Sequence, residues 1–565
     1  MFLALFLPLF RYLYGTVMRP HYYNMMRKLL SFAGSVVIGL ALSSGLRAAN
    51  PYLPLWEHIP DGEPYVFEDP DYPGEYRVYV YGSHDLLRTA YCGLDQVVWS
   101  ASVKDLNHWR FDGVIFEQKV GADGALLRED GLGDVLYAPD VVEVVDASGK
   151  KTYYLYPNNQ AGGRQSMVCK SDRPDGPFTA CNWSEDDPRR TMGPLGFDPA
   201  VLVDDDGRVY GYWGFNMSYA AELDPATMAT LKEGAEPIVG MVPSVLQPGE
   251  FRFFEASSIR KIKDKYVFIF SRTTADGEFG LPASNYTLAY AYGNSPLGPY
   301  TYGGTIIDGR ARDKDADGNT IYTAHPAGNT HGSICEIDGQ WYVFYHRQVG
   351  TNEFSRQAMV APIEVKVTEG PDGKVEISEG EYTSEGFELD GLDPFARHSA
   401  GIACYYTSPA PVAQSFPNFS FPGSYVKAAR PEYDGVADPY DLKFNHNPVI
   451  NNTAGSVVGY KYFNFNKLRK GLFARRRLLV NLVPQGVDGR IVIMADHPDK
   501  ARGGIELGSF DLSAAMPQQM TELTARLSKV RRLKGKHAIF FVFESDIPEK
   551  SLCELHDFVF TKGRS

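Results

Sequence analysis

Cysteine is scarce and scattered. Six residues in a chain of 565, at positions 92, 169, 181, 335, 404 and 553, make no CxxC pair and no zinc-ligand spacing, which argues against a disulfide framework and a structural zinc cage. Cys169 and Cys181 could bridge within one hairpin, but buried free thiols suit this scatter better. Basic residues are also in deficit. Against 69 Asp plus Glu stand 56 Lys plus Arg, and a formal charge of −13 repels nucleic acid and anionic membrane surfaces. Tryptophan is rare, with 6 residues, and helical periodicity is nearly missing beyond the N-terminal segment. In its place come 35 Tyr and 33 Phe within short alternating or continuous apolar runs bounded by Gly, Pro, Asp and Asn. That is the signature of strands, and the chain reads as all-β.

The first 49 residues read as targeting. From Met25 a basic head, Arg27-Lys28, precedes an apolar stretch from Leu29 to Leu42 and small residues up to Ala48-Ala49, the layout of a secretory leader. The apolar segment before it, Met1 to Asn24, is broken by Arg11 and Arg19-Pro20 and fits an over-long start, with a membrane anchor as the other reading. A secreted or periplasmic protein, free of the membrane once the leader is removed and monomeric by default, is the expectation.

A chain of this length, 44% hydrophobic, exceeds one compact core and predicts two folded domains. Five times a polar residue stands just before an apolar run that leads through a tight turn into an aromatic-rich strand. These are Asp61 before Tyr79–Tyr81, Asp140 before Tyr153–Tyr156, Asp198 before Tyr210–Tyr212, Glu255 before Val267–Phe270 and His331 before Tyr342–Tyr345. Each unit is too small to bury its own apolar face, so the repeat predicts five blades packed around an axis, over residues 50–368, with all five polar residues near one central site. A charged, glycine-rich connector, 369–400, follows. Strands without the blade repeat, among them Leu478–Leu482 and Ala538–Phe543, then predict a β-sandwich of jelly-roll type over 401–565.

Several carboxylates around one axis suit cleavage of a glycosidic bond. Inversion requires a carboxylic acid that protonates the leaving oxygen and a carboxylate about 6.5–9.5 Å away that deprotonates a water on the opposite face; retention requires about 5–5.5 Å. A neighbouring negative charge keeps the acid protonated near neutral pH. Asp198, followed by Pro199 and Asp204-Asp-Asp-Gly207, also makes good turn chemistry and is read as structural. Aromatic candidates for the sugar-facing walls are Trp56, Tyr137, Trp213, Phe254 and Tyr322, with His325, His346, Arg272 and Arg347 as hydroxyl partners. The run Asp313-Lys-Asp315-Ala-Asp317-Gly318 imitates half of a calcium loop, but its twelfth position is Ala324, so a solvated turn is expected.

These residues carry a resemblance. Tyr65-Val-Phe67 after Pro60-Asp61-Gly-Glu-Pro64, Tyr81-Gly-Ser-His-Asp85, Tyr137-Ala-Pro-Asp140, Phe197-Asp-Pro-Ala200 through Gly207, Phe254-Glu-Ala-Ser-Ser258 and Thr330-His-Gly-Ser-Ile334 with Tyr345-His-Arg347 resemble glycoside hydrolase family 43, blade by blade. The resemblance implies a five-bladed β-propeller hydrolase with Asp61 as general base, Glu255 as general acid and Asp140 orienting the acid and raising its pKa. Two departures stand out: Asp61 is followed by Gly-Glu-Pro where Asp-Pro is frequent, and Glu255 by Ala where Gly-Pro is frequent. No redox cofactor is implied. His331 matches a position that can hold a structural calcium or sodium through waters. The last 130 or so residues resemble a family 6 carbohydrate-binding module, on Gly489-Arg-Ile-Val-Ile, Gly535 through Phe543 and Leu555 through Phe560. The expected substrate is an oligosaccharide or polysaccharide of plant type, cut at a terminal arabinofuranosyl, xylosyl or galactofuranosyl residue. A propeller that binds carbohydrate without cleaving it is the alternative.

Overall fold

The computed structural model describes residues 49–563, apart from Arg88, Ala327, 429–439, Phe444 and 472–473, so all of the expected leader but Ala49 lies outside the described residues. Five antiparallel sheets follow one another along the chain. Four have four strands in sequential order, spanning Glu63–Glu117, Asp140–Ala180, Ala200–Val239 and Phe253–Asp308, and the fifth has three, from Ser333 to Ile363. They are the blades of a propeller. Strands in the middle of a blade face a neighbouring blade on each side, which is why Val209–Trp213 and Lys265–Arg272 are buried along their whole length. Such strands read as continuous apolar runs rather than alternating ones. The turns are tight: Ile337 pairs with Gln340, and the two residues between them, Asp338 and Gly339, have φ of 50° and 80°, the left-handed pair that a two-residue hairpin requires.

The innermost strands touch around the ring, that of blade 3 meeting those of blades 2 and 4, and that of blade 5 meeting those of blades 4 and 1. Among the described residues no strand is shared between the first and last blades. Their junction is sealed by side chains instead: Val78, Val80 and Trp99 of blade 1 pack with Tyr342, Phe344 and Val360 of blade 5, together with Tyr52 and Leu53 of the segment that leads into the propeller. Each such buried side chain stabilises the fold by roughly 1.5–3 kcal/mol. Asn50 adds a polar clip on the outer strand of blade 5, donating Nδ2 to Val360 O at 2.8 Å and accepting from Val360 N at 3.0 Å.

The segment after blade 5 is less irregular than expected. Val365–Val367 pairs with Val375–Ile377, because the apolar faces of this hairpin cover blade 4, where Tyr290 OH accepts from Ile377 N at 3.0 Å. The sandwich begins at His398–Ser399, which pairs with the closing strand Cys553–Gly563. One sheet runs Tyr405–Thr407, Val457–Asn464, Lys536–Glu544, Gly489–Ala495 and Ile505–Leu512. The other is built on Cys553–Gly563 and Arg475–Pro484, whose alternating burial turns Leu478, Val480 and Leu482 towards Phe541, Phe543 and Phe558.

Propeller and sandwich belong to one compact unit. Arg347, expected at the sugar, instead joins the two. It is fully buried and donates to Ala403 O at 2.6 Å, Gly401 O at 2.5 Å and Gln357 Oε1 at 3.0 Å, so it satisfies carbonyls at the domain junction and has no donor pointing at the axis. The six cysteines are all free; five are buried as expected and Cys181 is exposed.

Candidate active site

Backbone strain marks the axial end of three blades. Asp61 and Asp198 adopt φ of 60° and 48°, and Ala256, directly after Glu255, adopts 67°. Non-glycine residues rarely occupy this left-handed region and concentrate at functional sites. Register shifts flank Glu255 on both sides within the strand Phe253–Ile262, a bulged geometry that re-aims its side chain.

Asp61 is held as an anion. Burial opposes its ionisation, but the Arg356 charge and the Ser83 hydrogen bond override that cost and lower its pKa. Arg356, on the outer strand of blade 5, is buried and donates Nη1 to Asp61 Oδ1 at 2.9 Å. Its Nε and Nη2 meet the two oxygens of Asp85 at 2.9 Å each, and Ser83 Oγ donates to Asp61 Oδ2. Asp61 N donates to His346 Nδ1 at 3.2 Å, while His346 Nε2 lies 2.9 Å from Asn329 O. That pairing assigns the ring proton to Nε2, and burial, pushing the imidazole down to about 3, keeps it neutral.

Glu255 has the opposite surroundings. It is buried, its one side-chain donor among the described residues is Asn329 Nδ2 at 3.4 Å, and burial together with the Asp61 charge raises it to about 7. Asp198 stands beside it: burial and the charges of Glu255 and Asp61 push Asp198 well up. Asp198 is nevertheless the better supplied of the two, accepting from Asn158 Nδ2 at 2.7 Å and Ala256 N at 2.9 Å. Hydrogen bonds to the ionised form favour it, so when the two share a proton it resides on Glu255.

Asp140 does not join this group. Its Oδ1 accepts from Tyr65 OH at 2.6 Å and Val141 N at 2.8 Å, and its Oδ2 from Val201 N at 2.7 Å. Arg260 donates to Tyr65 OH at 3.1 Å and to Glu63 Oε2 at 2.7 Å, so Asp140, Tyr65, Arg260 and Glu63 form a separate buried network. This corrects the assignment of Asp140 as tuner of the acid: its charge is committed to that network, and the carboxylate that faces Glu255 electrostatically is Asp198, which sequence reasoning had taken as structural. Glu63, two residues after Asp61, belongs to the same network through its ion pair with Arg260.

Aromatic rings line the blade mouths in an unbroken series. Tyr137 lies 6.1 Å from Phe197, Phe197 lies 5.4 Å from Phe215, and Phe215 lies 5.1 Å from Phe254. Phe197 and Phe215 were missed, although Phe197 precedes Asp198 just as Phe254 precedes Glu255. Phe215 is 51% exposed and offers its face to solvent. Two other wall candidates are corrected. Trp56 is packed in the core at the junction of blades 1 and 5, 6.0 Å from Trp99, and Trp213 is stacked on Tyr219 at 5.6 Å within the core between blades 2 and 3. Arg272 is paired with Glu278 at 2.6 Å, and His325 packs against Phe419 at 4.5 Å.

His331 stands at the axis with Nδ1 3.5 Å from Asp198 Oδ2, and burial lowers it to about 4, leaving a neutral ring. Among the described residues no three His, Cys, Asp or Glu side chains converge as ion ligands. The donor set therefore offers one nitrogen to an ion otherwise held by water, and no chemical step below depends on one.

The model of Glycosyl hydrolases family 43 matches residues 74–370. The chain belongs to this family. The match takes in Asp140, Asp198, Glu255 and His331 and begins after Asp61. Among family 43 relatives, a xylosidase/arabinosidase of Thermoclostridium stercorarium is 32% identical over 437 residues, 74% of this chain and 82% of that protein. A beta-xylosidase of Xylanibacter ruminicola is 29% identical over 51% of this chain and 90% of its own length. An arabinoxylan arabinofuranohydrolase of Paenibacillus polymyxa is 27% identical over 62% of this chain and 53% of its own. This family 43 member is thus a glycosidase that hydrolyses O-glycosyl bonds.

Proposed function

We propose that the protein removes terminal arabinofuranosyl or xylosyl residues from plant-type polysaccharides or their oligosaccharides, in a single step with inversion, outside the cytoplasm. The observation that carries this reading is the opposed protonation of two carboxyls in one buried site: Asp61 is lowered and held ionised, while Glu255 is raised to about 7. Such a split assigns acid and base. Glu255 gives its proton to the glycosidic oxygen as the bond to the anomeric carbon breaks. Asp61 takes a proton from the water that attacks the opposite face, so the sugar leaves with inverted configuration. Asp198 keeps the proton on Glu255 between turnovers. The aromatic series from Tyr137 to Phe254 receives the apolar face of the sugar. The activities named for the relatives, xylosidase, arabinosidase and arabinofuranohydrolase, support pentosides as substrates.

Replacement tests the roles. Asp61→Asn and Glu255→Gln should each abolish turnover of nitrophenyl pentosides while leaving the thermal transition in place; near-normal activity in either removes that residue from the mechanism. Proton NMR of the first-formed sugar tests inversion, and a retained anomer contradicts it.

A further inference from the structure

The acidic charge of the whole chain conceals a local excess of the other sign. Two segments of the sandwich, 465–477 and 526–536, carry six Lys or Arg each and no Asp or Glu, in a chain where acidic residues outnumber basic ones 69 to 56. The fold brings them together. The short helix Phe465–Arg469 touches the turn Val530–Arg532, and Arg531 Nη2 donates to Gly471 O at 3.2 Å. On the adjoining sheet Arg477 stands directly opposite Arg526, and Leu527 N donates to Arg476 O at 2.8 Å.

One arginine of this group serves the fold. Arg476 is buried and donates to the carbonyls of Leu468, Arg469 and Ala474 at 2.8, 2.9 and 2.7 Å. Its neighbours are not used in this way. Arg475 and Arg477, two apart on one strand, turn to the same outer side, and Arg526 stands beside Arg477 on that side. All three are exposed, and among the described residues none of them forms an ion pair with a carboxylate. The acidic groups at the margin are engaged elsewhere, Glu522 with Arg397 at 3.0 Å and Asp393 with Lys467 at 2.9 Å. Folding gains nothing from the arrangement, because like charges directly opposite one another on a sheet are destabilising. A cationic face kept at a cost to stability calls for an anionic partner. The charge elsewhere narrows its form. A duplex, with one charge per about 1.7 Å, or a membrane plane is charged throughout and repels the acidic remainder of this molecule. A polysaccharide with one carboxylate per sugar is sparser and flexible. It can meet the guanidinium forks, which suit carboxylates, while the rest of the protein stays in solvent.

We infer that the arginine face of the sandwich docks carboxylate-bearing polysaccharide, holding the enzyme on acidic polymer while the axial site works on pentosyl groups. The choice of a polysaccharide rests on the function proposed above; the cationic face itself does not. The test titrates the full unmodified chain and the triple variant Arg475→Gln, Arg477→Gln, Arg526→Gln by calorimetry. The probes are polygalacturonate, the same polymer fully methyl-esterified, and phosphatidylglycerol vesicles. The unmodified chain should bind polygalacturonate, lose that binding as salt rises and ignore the ester. The triple variant should bind about tenfold more weakly, the worth of three exposed charge pairs, with a thermal transition no lower than that of the unmodified chain. Equal affinity in the two proteins overturns the inference, as does equal binding of the ester or a preference for vesicles over polygalacturonate. Hydrolysis of nitrophenyl pentosides by the unmodified chain is read separately. Its absence with charge-dependent polymer binding intact removes the pentosidase reading and keeps the docking face; loss of the binding alone does the reverse.

Discussion

Arg356 donates Nη1 to Asp61 Oδ1 at 2.9 Å while its other two donors are fixed on Asp85, so one buried guanidinium sets both the charge and the position of the proposed base. Arg356→Lys keeps the charge and loses the fork. The expected outcome is a fall in kcat of about 10²-fold, the scale on which a small misplacement of a reacting group acts, with KM little changed. The acid limb of the pH profile should also move upward, because the lysine cannot hold Asp61 as an anion equally well. An unmoved acid limb would limit Arg356 to a structural role.

The pH dependence follows from the two carboxyls. Activity needs Asp61 ionised and Glu255 protonated. Since Glu255 is raised to about 7, kcat/KM should fall as pH rises through about 7. Since Asp61 is lowered, the acid limb should lie below the ordinary aspartate value of about 3.9. Rates across pH 3 to 9 on a nitrophenyl pentoside check both limbs, within the range where the fold survives by circular dichroism.

Asp198→Asn removes the negative charge beside Glu255, so the acid loses its proton at lower pH. The basic limb should move down, and activity at neutral pH should fall by about 10²-fold, the usual worth of a general acid. Asp140→Asn should leave the basic limb in place and lower the melting temperature, since its partners are Tyr65 and two backbone amides. A basic limb that moves with Asp140 and not with Asp198 would restore the original assignment.

Phe215→Ala tests the aromatic series at the site mouth. Its ring is half in solvent and contacts Phe197 and Phe254, so its removal costs little stability. Loss of its stacking contact with the sugar should raise KM roughly fivefold, about 1 kcal/mol, with kcat largely kept.

Arg347→Leu strands the carbonyls of Gly401 and Ala403 at the domain junction. Buried hydrogen bonds to a charged group are worth about 1.5–3 kcal/mol each, so a drop of several degrees in the thermal transition is expected. The soluble protein should retain its KM, because this side chain does not reach the sugar.

The repeat of a polar residue before each inner strand was legible because every blade needs the same local pattern: a turn, a buried strand, a hairpin. That pattern places Asp61, Asp140, Asp198, Glu255 and His331 at the axial ends of their blades without distinguishing them. Their roles depend on neighbours in other blades. Asp140 meets Tyr65 from blade 1, and Asp198 meets the backbone after Glu255 from blade 4, contacts that no local spacing encodes. Trp56, Trp213 and Arg347 misled for a related reason: an aromatic or a cation near a catalytic motif looks the same in sequence whether it faces a ligand or the next layer of the core. Arg356 carried no local signal, since its partners lie 271 and 295 residues away.

The Asn50 clip has a bearing on how the chain is made. Asn50 lies near the beginning of the described chain, yet its side-chain partners Val360 and Thr383 lie 310 and 333 residues further on. During synthesis the first blade must therefore wait, with one apolar flank uncovered, until the fifth has emerged. Loops of this length are slow to close and leave exposed surface open to aggregation in the meantime. Ring closure is thus the late event of biogenesis, and the stretch from Asn50 to Leu55 is the latch that records its completion.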